Sequence, residues 1–100
     1  MDAQKEESSP VRRFERTTVL WSGHLVHQEQ MVACVIVNIS AGGAMVRSED
    51  PAFFMTPVVL RNPRIGDLAA EVVWRQNEEL GLKFIDDPDT IAEIIGRALK

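Results

Sequence analysis

Val37-Asn38-Ile39-Ser40-Ala41-Gly42-Gly43-Ala44-Met45 enters as a strand, turns on two glycines and leaves as a strand again. In an extended chain, side chains at i and i+2 share a face. The spacing therefore predicts that Asn38 and Ser40 project together on one side while Val37 and Ile39 project together on the other. An amide and a hydroxyl would stand side by side on a sheet surface, backed by an apolar pair facing a core. Gly42 or Gly43 can take the positive φ of a tight turn and lets another backbone or a ligand come close. Asn, Ser and Gly are also ordinary turn formers whose side chains bond the local backbone. This stretch alone leaves both readings open.

Working outward, Met31 to Ser40 completes the strand on the upstream side. It is apolar on both faces, with Ala33, Val35, Val37 and Ile39 on one and Val32, Cys34 and Ile36 on the other. A helix, a terminal arm or a partner must cover its outer side. Thr17 to His27, rich in β-branched and aromatic residues, forms the strand before it, joined through Gln28-Glu29-Gln30. There Val19, Trp21 and Leu25 share a face, and Gly23 marks a bulge or bend. Downstream, Ala44 to Arg47 is a third strand. Ser48 to Pro57 is a broken loop whose apolar tip, Phe53-Phe54-Met55, either tucks onto a barrel end or offers a docking surface. Val58 to Arg61 is a fourth strand, with a turn at Asn62-Pro63. The stretch from Ile65 to Gln76 contains the fifth, with Ala70, Val72 and Trp74 sharing a face, and Leu80, Leu82 and Phe84 alternate along a sixth.

The period then changes. Asp87 caps a helix with Pro88 and Asp89 in its first turn, and Ile91, Ile94, Ile95 and Ala98 follow at helical spacing as one apolar stripe. Gly96 weakens this helix by roughly 1 kcal/mol relative to alanine, so it depends on docking, and its stripe is a natural lid for the apolar outer face of a strand. The predicted fold is mainly β, a six-stranded antiparallel barrel closed so that no strand edge is exposed, with one C-terminal helix. Residues 1–10 read as a flexible tail and 11–100 as a single domain, divided into an arm (11–16), a barrel (17–85) and a helix (87–99).

One hundred residues, 45% hydrophobic and 26% charged, suit a single domain that buries a modest core. A net charge of −4 argues against general nucleic-acid binding through phosphate contacts. The apolar runs are too short for a membrane helix, and no signal-peptide pattern opens the chain. The one cysteine, Cys34, sits in an apolar run and reads as a buried, inert thiol in a reducing compartment, so a cytoplasmic location is expected. His24 and His27 fall on opposite faces of a regular strand, and no cluster has metal-ligand spacing or pairs an acid with a nucleophile. Neither an enzyme nor a resident cofactor or metal is expected. Three of the eleven basic residues crowd into Val11-Arg12-Arg13-Phe14-Glu15-Arg16. They read as a solvated patch or as arginine forks able to grip a phosphate or the O6/N7 edge of guanine.

Taken together these residues resemble the PilZ domain, the bacterial receptor module for cyclic di-GMP. The family's R-x-x-x-R stands here as Arg12-Arg13-Phe14-Glu15-Arg16, and its [D/N]-x-S-x-x-G as Asn38-Ile39-Ser40-Ala41-Gly42-Gly43. A softer likeness, Glu71-Val72-Val73-Trp74 followed by Leu80-Gly81-Leu82-Lys83-Phe84, covers the last two strands. The resemblance implies an N-terminal arm lying across the barrel, with Arg12 and Arg16 on the ligand's phosphates or guanine, Asn38 and Ser40 meeting a guanine, and Gly43 giving room for close approach. Arg13 matches no required position of the family pattern but stands where it can add a phosphate contact, and Gly42 and Arg75, beside Trp74, are further candidates on the same reading. It implies a non-catalytic adaptor whose arm orders on binding the dinucleotide and which signals to an unidentified protein effector. The alternative is a protein-interaction module that works without nucleotide through Phe53, Phe54 and the helix stripe.

Overall fold

The computed structural model describes residues 15–49 and 57–100. The tail 1–10, the arm residues Arg12 and Arg13, and the apolar tip Phe53-Phe54-Met55 lie outside the described residues. Among the described residues there are six strands, β1 (Thr17–His27), β2 (Gln30–Ile39), β3 (Gly43–Arg47), β4 (Val58–Asn62), β5 (Gly66–Gln76) and β6 (Glu79–Phe84), and one helix, α1 (Pro88–Ala98), which follows them. The strands close into a barrel in the order β1-β2-β3-β6-β5-β4, every pair antiparallel. Closure rests on the length of β1, which pairs with β2 along most of its course and with β4 through His24, Leu25 and Val26. Gly23 marks this seam, because a Cβ there would sit 2.7 Å from the Arg61 carbonyl oxygen. Its role is close backbone approach; the β1 bulge expected there lies earlier, at Val19-Leu20.

Inward side chains from all six strands fill the barrel, among them Leu25, Ile36, Val46, Leu60, Ala70 and Leu82, each at most 2% exposed. Cys34 belongs to this core, and burial pushes its thiol pKa up to about 12, as an inert cysteine requires. The buried Asn62 is satisfied on both sides of its amide. Its Nδ2 donates to the Ser22 carbonyl at 2.7 Å, and its Oδ1 accepts from the backbone N–H of Arg64 at 2.7 Å and Ile65 at 3.3 Å. That side chain ties the β4–β5 turn to β1, a use the Asn-Pro turn signal does not reveal.

Helix α1 starts as predicted. Asp87 accepts from the N–H groups of Asp89 (3.0 Å) and Thr90 (3.3 Å), with Pro88 in the first turn. Ile91, Ile95 and Ala98 are buried and Ile94 is half-buried. The helix packs at the corner formed by Ile39, Ser40 and Ala41, with a cleft of about 190 Å³ between them. The expectation of an apolar outer face on β2 needing a lid is corrected by a β-bulge. The β2–β3 register runs Ile36↔Val46 and then Asn38↔Met45, so Val37 is an extra residue. Its insertion resets the alternation, and Cys34, Ile36 and Ile39 all turn into the core while Ala33 and Val35 face solvent.

Candidate functional site

The bulge at Val37 also aims Asn38. Strict alternation from the buried Ile36 would send Asn38 into the barrel; the extra residue turns it onto the outer wall, half-buried. A second bulge does the same on β5. There the register runs Val72↔Leu82 and then Trp74↔Gly81, with Val73 extra. Trp74 leaves the inward face of Ala70 and Val72, where simple alternation places it, and stands outside at 44% exposure. A third bulge, in β1, sets Val19 and Leu20 against the single residue Val37.

These irregularities border one continuous row across five strands: Thr18↔Asn38, Asn38↔Met45, Met45↔Gly81 and Gly81↔Trp74. Cross-strand partners point to the same face. Gly81 leaves the gap in which the indole lies, since a Cβ there would collide with Trp74 Nε1, Cε2 and Cδ1. The wall therefore presents, in order, a hydroxyl, an amide, a thioether and the indole resting on a glycine.

Arg16 enters this row from the chain preceding β1. Its Nη1 donates to Asn38 Oδ1 at 2.8 Å, joining residues 22 positions apart. The bond uses the amide oxygen and pairs a guanidinium donor with a neutral acceptor. Arg12 and Arg13 are outside the described residues.

Ser40 behaves differently from the surface residue its spacing predicts. Strand β2 ends at Ile39, and Ser40 is 5% exposed. Its Oγ accepts from the Gly42 N–H at 3.2 Å and lies 3.4 Å from the Gly43 carbonyl, to which it donates. Its backbone exchanges bonds with Gly43 at 2.8 and 3.3 Å. Here the local turn reading holds, and Ser40 shapes the loop that follows Asn38. Neither Gly42 nor Gly43 adopts positive φ; among described glycines only Gly66 does. Gly43 is needed for closeness, since a Cβ would run into the Leu82 carbonyl of β6, and the Gly42 carbonyl accepts from the Phe84 N–H at 3.0 Å.

Arg75 is one residue past the row. It lines a polar recess of about 640 Å³ at the β5–β6 hairpin with Gln76, Asn77 and the Arg47–Glu79 ion pair (2.7 Å). The helix stripe offered above to a protein partner is occupied by the barrel. His27 Nδ1 lies 2.7 Å from the Pro57 carbonyl oxygen, and among the described residues no group of three His, Cys, Asp or Glu could hold a metal ion. No helix among them is long and apolar enough to cross a membrane.

The same row carries two residues that the motif reading did not single out, Met45 and Trp74. The signal for Trp74 was an aromatic on β5 facing a glycine on β6, readable only once the register is known. A family model of the PilZ domain matches residues 10–100. No curated protein matches the chain.

Proposed function

The chain belongs to the PilZ domain family, and from that premise we propose that it is a non-catalytic receptor for cyclic di-GMP, gripping the dinucleotide between its N-terminal arginines and the Asn38–Trp74 row. The observation that carries the reading is the 2.8 Å hydrogen bond from Arg16 to Asn38. It brings together the two halves of the sequence signature, which nothing but folding could make adjacent.

The chemistry fits the ligand. Cyclic di-GMP carries two phosphates and two guanines, so it needs cations and groups that read a base edge. Arg16 and Arg12 provide forks for a phosphate or for guanine O6 and N7. The Asn38 amide offers a donor and an acceptor to the same base edge. Ser40, Gly42 and Gly43 hold the loop beside it in a compact form that keeps the wall open. Trp74 supplies an aromatic face for stacking, worth about 1–3 kcal/mol per base, and Arg75, next along β5, can turn to a phosphate. Closure of the arm over this wall is the switch, and a protein effector reads the closed form. Titration calorimetry tests the reading. The chain should bind cyclic di-GMP at micromolar concentration or below, and Arg16→Ala should lower affinity at least about 100-fold, as loss of a charge-assisted bidentate contact does, with the thermal midpoint unchanged. Folded wild-type protein that gives no binding signal at high micromolar ligand would reject it.

A further inference from the structure

Three non-glycine residues among those described have positive φ: Leu20 (54°), Gln28 (56°) and Asn77 (57°). Gln28 and Asn77 sit in the two-residue tips of the β1–β2 and β5–β6 hairpins, where the turn demands that conformation. Leu20 is the fourth residue of β1, inside the strand and not at a turn. A branched aliphatic residue there is disfavoured by its Cβ against the neighbouring carbonyl, while glycine or asparagine would fit. The side chain gains nothing from the core in exchange, for at 65% it is the most exposed large hydrophobic residue described. A strained backbone that presents an apolar side chain to solvent marks use of that side chain outside the folded core.

Its position indicates the use. Leu20 stands in the bulge between the pairs Thr18↔Asn38 and Trp21↔Ile36, two residues along β1 from the partner of Asn38. At strand spacings it is about 7 Å along the strand and about 5 Å across from Asn38. Trp74 closes the row at its β5 end; Leu20 is the corresponding apolar group at its β1 end, with Arg16 and Asn38 between them.

We propose that Leu20 is a positioning residue of the nucleotide site, held in strain by the β1 bulge so that its side chain packs on the apolar face of a base whose edge meets Asn38. The inference rests on the receptor reading above. Three variants titrated with cyclic di-GMP, with thermal melts alongside, test it. Leu20→Gly and Leu20→Asn relieve the backbone and remove the apolar contact. They should keep or raise the melting midpoint, by up to about 5 °C, while weakening affinity about tenfold, the scale of one lost aliphatic contact. Leu20→Met, still apolar, should bind within about twofold of wild type, a rescue that a purely structural role would not produce. A lowered midpoint in Leu20→Asn would show that the side chain serves the fold and overturn the proposal. Unchanged affinity in Leu20→Gly, with wild type and Arg16→Ala behaving as above, would overturn it alone and leave the receptor reading standing. Failure of the wild type to bind would remove the receptor reading as well.

Discussion

The two sides of this barrel are built to different rules. The pairings β1–β4 and β4–β5 run in unbroken register, whereas β1–β2, β2–β3 and β5–β6 each carry a bulge, and β3–β6, itself unbroken, joins the last two on the bulged side. On the regular side, alternation is obeyed and the inward residues Leu60 and Leu68 simply fill the core. On the bulged side, two of the extra residues, Val37 and Val73, each take one side chain that the period-2 rule assigns to the interior and turn it outward. Asn38 and Trp74 reach the same wall by this route. The difference teaches that the bulges turn polar and aromatic groups onto the wall proposed above to take the ligand, while the regular wall only encloses the core, so the two can be perturbed separately.

The sharpest separation comes from truncation on the regular wall. Leu60→Ala should cost about 2–5 kcal/mol, as cavity-forming leucine truncations do, seen as a lower denaturant midpoint. Nucleotide affinity, measured where the protein is still folded, should stay within about twofold; a large affinity loss would erase the distinction. On the bulged wall, Gly81→Val fills the gap under the indole. It should cost about 1–3 kcal/mol through overpacking and move Trp74 off the wall, reported by a changed emission maximum and weaker cyclic di-GMP binding. Unchanged tryptophan emission would mean the ring does not rest where the glycine admits it. Asn38→Ala removes one exposed hydrogen bond and should change stability by less than about 0.5 kcal/mol, yet reduce affinity at least about tenfold; the reverse pattern would make Asn38 a structural residue.

The smallest effect belongs to the Arg61–Asp67 fork on the regular wall, two bonds of 2.9 Å on the surface. The hydrogen bond from Arg61 holds the Asp67 carboxyl below its usual range against desolvation, and the Arg61 charge adds to the lowering. A depressed folded-state value gives stability that is present above the ordinary carboxylate pKa of about 3.9 and is lost as pH falls through the folded value. Asp67→Asn should therefore melt slightly below wild type at neutral pH, with the two curves converging in acid. Ligand affinity should be unaffected, and a persistent gap at low pH would point to packing instead of charge.

Much of the fold was legible because its elements are short-range. The strand and helix boundaries followed from alternation, turn residues and the Asp87-Pro88 start, and fell within a residue or so of those observed. The site was legible only in part. Asn38, Gly42 and Gly43 could be picked out by spacing, yet Ser40 faces its own loop and Gly43 answers to the Leu82 carbonyl. Alternation puts Trp74 on one face with Ala70 and Val72, because nothing local in Glu71-Val72-Val73-Trp74 says that Val73 is extra.

What the sequence by itself determined is the list of strands, their turns, the capped helix and the identity of the signature residues, since each depends on a few consecutive side chains and their local conformational preferences. What only the tertiary structure decided is which face several of those residues occupy and that Arg16 meets Asn38 across 22 positions. A bulge is a mismatch of count between two paired strands, and that count exists only after the strands have found each other.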